Sequence, residues 1–212
     1  MIRGTGEECR MTKQEVRQFI NTHRDIEYSA AKIEYSLYLY KDIEENVYEL
    51  AAQITHGDEE ERANIQQMIT DAESAEDIVN LMRKKVFTGE RIKIIKKALE
   101  IEEATLPIIQ KRALSNRQDV FIENTVKFFL HSKTNCCDWI MENYRVFKSE
   151  YLKSMLCLVL GFRGDVSLID FLMKEAKRLE REYPFESYDQ GPTLAVQELA
   201  VRFLNDKKKR IG

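Results

Sequence analysis

Apolar residues recur at spacings of three and four along nearly the whole chain, the period that lines one face of an α-helix. The run is longest between residues 26 and 54. There Ile26, Ala30, Ile33, Leu37, Tyr40, Val47, Ala51 and Ile54 keep one seam, with Glu44 the polar interruption. This predicts a helix of roughly 45 Å at 1.5 Å per residue. Ahead of it, Thr12-x-x-Glu15 reads as a capping box opening a short helix with Val16, Phe19 and Ile20 inward. Behind it, the acidic stretch Asp58–Glu61 leads into a weaker helix bearing Ile65, Met68 and Ile69.

From residue 74 onward the pattern breaks into shorter helical segments. Ser74-x-x-Asp77 caps a helix with Ile78, Leu81, Met82 and Val86 inward, closed at Gly89. The next helix carries two apolar stripes, Ile92, Ile95, Leu99, Ile109 and Ile94, Ala98, Ile101, Ile108, which implies cover from both sides. Pro107 should kink or break it, because the proline ring meets the carbonyl of Glu103. Further helices are expected from Asp119, over Cys136–Phe147, and from Glu150 to Phe162 behind a Ser149 cap. The last of these is apolar almost all round and belongs in the interior. Asp165 caps an amphipathic helix with Ile169, Leu172, Ala176, Leu179 and Tyr183 inward and Lys174, Lys177, Arg178 and Arg181 opposite. Pro192 then opens a final helix with Leu194, Leu199 and Phe203.

Composition removes the competing fold classes. With 8 Gly and 3 Pro in 212 residues, the chain lacks the turn residues that a β-sandwich or barrel needs every 8–12 residues or so. It also lacks the glycines of a phosphate loop. No stretch approaches the roughly 20 apolar residues of a membrane span, and Met1–Arg10 carries no apolar signal core. Cys9, Cys136, Cys137 and Cys157 show no metal or disulfide spacing, so they read as reduced thiols of a cytoplasmic protein. No metal box, nucleophile elbow or cofactor motif is present, and carboxylate pairs such as Glu102-Glu103 read as ordinary helix surface. The expectation is a non-enzymatic protein without cofactor.

One internal match stands out. Leu160-Gly161-Phe162-Arg163-Gly164-Asp165-Val166 aligns with Leu114-Ser115-Asn116-Arg117-Gln118-Asp119-Val120 at an offset of 46 residues. The shared L-x-x-R-x-D-V is a helix end, a turn and an Asp-capped new helix, and repeats of about 40–47 residues are the period of HEAT and armadillo units. The block Leu156–Leu172, "LCLVLGFRGDVSLIDFL", resembles the helix–turn–helix junction of HEAT-like repeats. The resemblance is best over 149–183 and weaker over 114–130. It implies an all-α fold, a short α-solenoid of helical pairs preceded by a long N-terminal helix, with Gly161 and Gly164 serving the turn. The expected organisation is a flexible N-terminal arm at 1–11 and a single helical domain at 12–206. Within that domain, 12–72 are divergent N-terminal helices and 73–206 are HEAT-like repeats. A basic tail follows at 207–212.

Such a solenoid implies a scaffold or adaptor that binds another protein. Candidate contacts are Tyr28, Tyr35 and Tyr38, which lie off the 26–54 seam beside Glu27, Glu34 and Asp42, as interface aromatics rimmed by charge do. Burial under a neighbouring helix is the plainer alternative. Tyr188 and Asp189, in the irregular segment 183–192, are candidates for a recognition loop, and the 26–54 helix could pair two copies into a homodimer where the chain is not a monomer. The alternative function follows from charge. Residues 1–82 hold 8 Lys/Arg against 18 Asp/Glu, whereas residues 83–117 hold 10 against 4. Arg83, Lys84, Lys85, Arg91, Lys93, Lys96 and Lys97, with Lys111, Arg112 and Arg117, could form a phosphate-binding band. Within the HEAT-like group, DNA glycosylases use a concave face with Trp and Asp, for which Trp139 beside Asp138 is the candidate here. Solvated helix faces, partly paired with the acidic third, are the plainer account of the same charges.

Overall fold

The computed structural model describes residues 12–23, 59–86 and 88–205, and every regular element among them is helical. Tyr28, Tyr35, Tyr38, the 26–54 helix, the arm and the tail all lie outside the described residues. The helices are α1 (Lys13–Thr22), α2 (Glu59–Asp71), α3 (Ala75–Leu81), α4 (Thr88–Glu100) and α5 (Glu102–Ala113). They continue with α6 (Asp119–His131), α7 (Cys137–Asn143), α8 (Glu150–Arg163), α9 (Ile169–Glu182, after a 3-10 turn Val166–Leu168) and α10 (Gln190–Asn205). None is long and apolar enough to cross a membrane.

The expected caps form. The Thr12 side chain accepts the Glu15 N–H and the Glu15 carboxylate takes the Thr12 N–H, satisfying two donors at the α1 start. Ser74 and Ser149 cap α3 and α8 with a single bond each, accepting the N–H groups of Asp77 and Leu152. At the two matched junctions the chemistry differs. Asp165 accepts the Ser167 N–H, but Asp119 is the first helical residue behind Gln118 and caps nothing. Arg163 donates to the carbonyls of Phe129, Leu130 and Ser132 at the end of α6, whereas Arg117 is exposed.

Two breaks fall elsewhere than the pattern predicts. α3 ends at Leu81, and Gly89 belongs to the first turn of α4. The chain turns at Ile101, six residues before Pro107, which sits inside α5. At this turn the Thr105 hydroxyl takes the Ala98 carbonyl at 2.8 Å, replacing a bond that a continuous helix would make. Glu102, expected on the surface, is buried. It accepts from Ser132 Oγ (2.6 Å) and from the N–H groups of Lys133 (2.7 Å) and Thr134 (2.9 Å). Burial alone would raise its pKa, but these hydrogen bonds outweigh it and hold the carboxyl near a pKa of about 2. The carboxylate therefore ties α5 to the chain that leaves α6.

Helices two apart in sequence are neighbours in space: α2 with α4, α4 with α6, α6 with α8, and α8 with α10. Glycines let α8 and α10 approach closely. A Cβ built on Gly161 would lie 2.5 Å from the Ala195 Cα, and one on Gly191 would strike the Ser154 carbonyl. Gly161 thus lies inside α8 and serves helix contact, correcting the expectation that it serves the turn. Because Ser154 meets Gly191 and Gly161 meets Ala195, α8 and α10 run in the same direction. α8 supplies the centre of the core, with Leu152 and Leu156 through Leu160 buried.

The outer helix α9 is pinned by charge. Arg178, expected among solvated cations, reaches Glu150 (2.5 Å), Glu175 (2.6 Å) and Glu182 (2.7 Å), and the Tyr144 hydroxyl donates to Glu175 at 2.9 Å. At the other end of the chain order, α1 rests on α10. Val16 and Phe19 are buried, Lys13 donates to the Leu204 carbonyl, and its ammonium lies over the Phe203 ring. The described parts of 12–72 therefore separate, α1 on α10 and α2 on α4.

Candidate functional site: a polar and aromatic row at the helix starts

Side-chain contacts join the first turns of α4, α6 and α8. Arg91, in the first turns of α4, donates to Glu123 Oε2 of α6 at 3.0 Å. The other Glu123 oxygen accepts the Tyr151 hydroxyl, from the start of α8, at 3.5 Å. The Tyr151 ring lies 6.1 Å from that of Tyr188, which in turn lies 5.6 Å from that of Tyr183. The row thus crosses α4, α6 and α8 and ends in the α9–α10 loop.

That loop is held by its backbone. Ser154 Oγ of α8 donates to the Tyr188 carbonyl at 2.5 Å, and the Thr193 hydroxyl donates to the Asp189 carbonyl at 2.7 Å. Ser187 sits at φ 54°, the left-handed region, which folds the chain back so that Tyr188 meets Tyr151. Phe185 projects from the loop with 95% of its surface exposed.

Carboxylates dominate the electrostatics around the tyrosines. Burial, with Glu123 and Asp119, pushes the Tyr151 hydroxyl above its ordinary range, and burial, with Glu186, Asp119 and Glu150, raises that of Tyr188. Burial and the neighbouring Arg91 push the Lys127 amine down, against the pull of Glu123. Neither hydroxyl is moved toward a reactive phenolate. The row offers hydrogen bonds, charge and aromatic surface.

The candidates assigned to two different ligands come together in part. Arg91 and Tyr188 share the row, linked by Glu123 and Tyr151, which the sequence did not single out. Glu123 is one of many polar positions on α6, and Tyr151 sits one residue after the helix start. Their only signal is the side-by-side placement of alternate helices. The remaining basic residues disperse. Lys93 donates to Gln66 at 3.3 Å, Lys97 takes the Ile69 carbonyl that ends α2, and Arg83 exchanges hydrogen bonds with Gln118. Arg112 pairs with Glu76. Lys84, Lys85, Lys96, Lys111 and Arg117 are exposed, and Lys84 borders a groove of about 320 Å³ that also carries Asp71 and Asp77.

Trp139 is half-buried, its ring edge-on to Phe129 and Phe147 at 5.7 and 5.6 Å. Burial holds Cys136 and Cys137 as thiols, with pKa values pushed up to about 11, and Cys157 to about 12. Among the described residues, no group of three or more His, Cys, Asp or Glu is placed to hold a metal ion. Against known proteins, the chain matches no family model, no curated relative and no solved structure.

Proposed function

We propose that this chain is a helical-repeat scaffold that binds another protein along the row Arg91–Glu123–Tyr151–Tyr188. The reading rests on one observation above all. A contiguous strip of tyrosines, with the exposed Phe185 in the same loop, runs from the start of α8 to the α9–α10 loop. Tyrosine is enriched at binding hot spots because it combines a large apolar face with a polar tip. The neighbour relation of every second helix supports a short solenoid of the HEAT-like kind, an architecture that leaves extended surfaces for partners. Three buried free thiols support a reducing, cytoplasmic setting.

The test is capture from cells of the native host by the wild-type chain and by a Tyr151→Ser, Tyr188→Ser double variant, with both protein and nucleic acid recovered. The expected result is a protein enriched by the wild type and lost with the variant. Equal recovery by both chains would contradict the row as the contact. Duplex DNA recovered in its place, with binding that falls steeply with salt, would favour the nucleic-acid reading through Lys84, Lys85 and Lys96.

A further inference from the structure

The two ends of the row differ in charge, and this bears on what its tyrosine end can receive. Arg91 of α4 and Lys127 of α6 supply its cations. The tyrosine end is flanked by Asp119, Glu123, Glu150 and Glu186, of which Glu123 is held by Arg91 and Glu150 by Lys153 and Arg178. Asp119 and Glu186 are exposed carboxylates beside three touching aromatic rings.

On these grounds we propose that the Tyr151–Tyr188–Tyr183 surface seats an arginine side chain presented by a partner protein. The inference rests on the protein-binding reading and names its chemistry. The faces of the tyrosine rings carry negative potential, which draws a cation, and a planar guanidinium both stacks on such a face and forks to a carboxylate. An anionic group placed there would meet Asp119 and Glu186. The row already holds one guanidinium by a carboxylate: Arg91 donates to Glu123, whose second oxygen accepts the Tyr151 hydroxyl.

Fluorescein-labelled octa-arginine, titrated against the full chain at about 150 mM salt to screen diffuse attraction, tests the proposal. The peptide should bind, and should bind more tightly than octa-lysine. A Tyr183→Leu, Tyr188→Leu double variant should weaken binding roughly tenfold, whereas the matching Phe double variant should retain it. Glu186→Lys, an exposed change independent of the aromatic packing, should weaken it as well. Absence of binding, or equal binding by the wild type and these weakened variants, would overturn the proposal. If a captured protein depends on Tyr151 and Tyr188 but octa-arginine neither binds the chain nor displaces that protein, the arginine seat fails and the protein-binding reading stands.

Discussion

Replacing Gly161 by leucine should lower the unfolding free energy by about 3 kcal/mol, the upper end of the cost of overpacking. For a chain of this size that corresponds to a fall of roughly 6–12 °C in Tm. The cause is geometric. A Cβ at this position already stands 2.5 Å from the Ala195 Cα and 2.7 Å from its Cβ, and neither is the far end of a flexible side chain. α8 and α10 would have to separate, opening a contact in the centre of the core. The alanine variant is the sharper test of sign. In an exposed helix interior, Gly→Ala stabilises by about 1 kcal/mol, so a fall in Tm with Gly161→Ala identifies helix contact as the reason for the glycine. A rise would show that α8 and α10 are not so close.

The second large effect belongs to Glu102. Replacement by alanine leaves the Ser132 hydroxyl and the N–H groups of Lys133 and Thr134 without their acceptor, at a cost of about 3 kcal/mol. The pH dependence has a definite direction. The folded carboxyl has a pKa near 2, below the ordinary 4.5, so the folded state holds the proton less readily than the unfolded chain. Its contribution is complete above the ordinary carboxylate range and is lost as pH falls from about 4.5 toward about 2. Urea midpoints measured across this window should fall less steeply for Glu102→Gln than for the wild type. Parallel slopes would show that the carboxylate is not bound as described.

Glu102 also marks the limit of what could be read from the sequence. Helix starts were legible because a cap and its partner lie three residues apart, as in Thr12 with Glu15 and in Ser74 and Ser149 with the N–H groups they accept. The interior helix α8 was legible because its residues are apolar on every side. Glu102 was not, because its donors come from a loop some 30 residues later, and locally the pair Glu102-Glu103 is indistinguishable from helix surface. Gly161 reads as a turn residue for a related reason. A glycine reports only that a Cβ is missing, and Ala195, which needs the space, is remote in sequence. The break at Ile101 was expected nearer Pro107, because the proline was visible whereas the hydroxyl of Thr105 replacing the lost hydrogen bond was not.

The same logic governs the site. Arg91 and Tyr188 were identifiable one at a time, for different ligands, from charge and from loop position. Glu123 and Tyr151 complete the row only once alternate helices are set side by side with their first turns together. Periodicity tells which face of each helix is buried and nothing about which helix it meets. The basic band illustrates the converse. Lys93, Lys97, Arg83 and Arg112 belong to one basic stretch of the sequence, yet they turn to Gln66, the end of α2, Gln118 and Glu76.

The most direct test of the account is photo-cross-linking in living cells with benzoylphenylalanine placed at Phe185 and, separately, at Lys111 on α5. Position 185 extends freely from the tyrosine end of the row, and position 111 lies exposed on a helix that carries none of its members. A discrete protein adduct is expected from position 185, lost when Tyr151 and Tyr188 are changed to Ser, and no such adduct from position 111. Adducts to nucleic acid, adducts of equal yield from both positions, or an adduct at 185 that survives the loss of both tyrosines would contradict it.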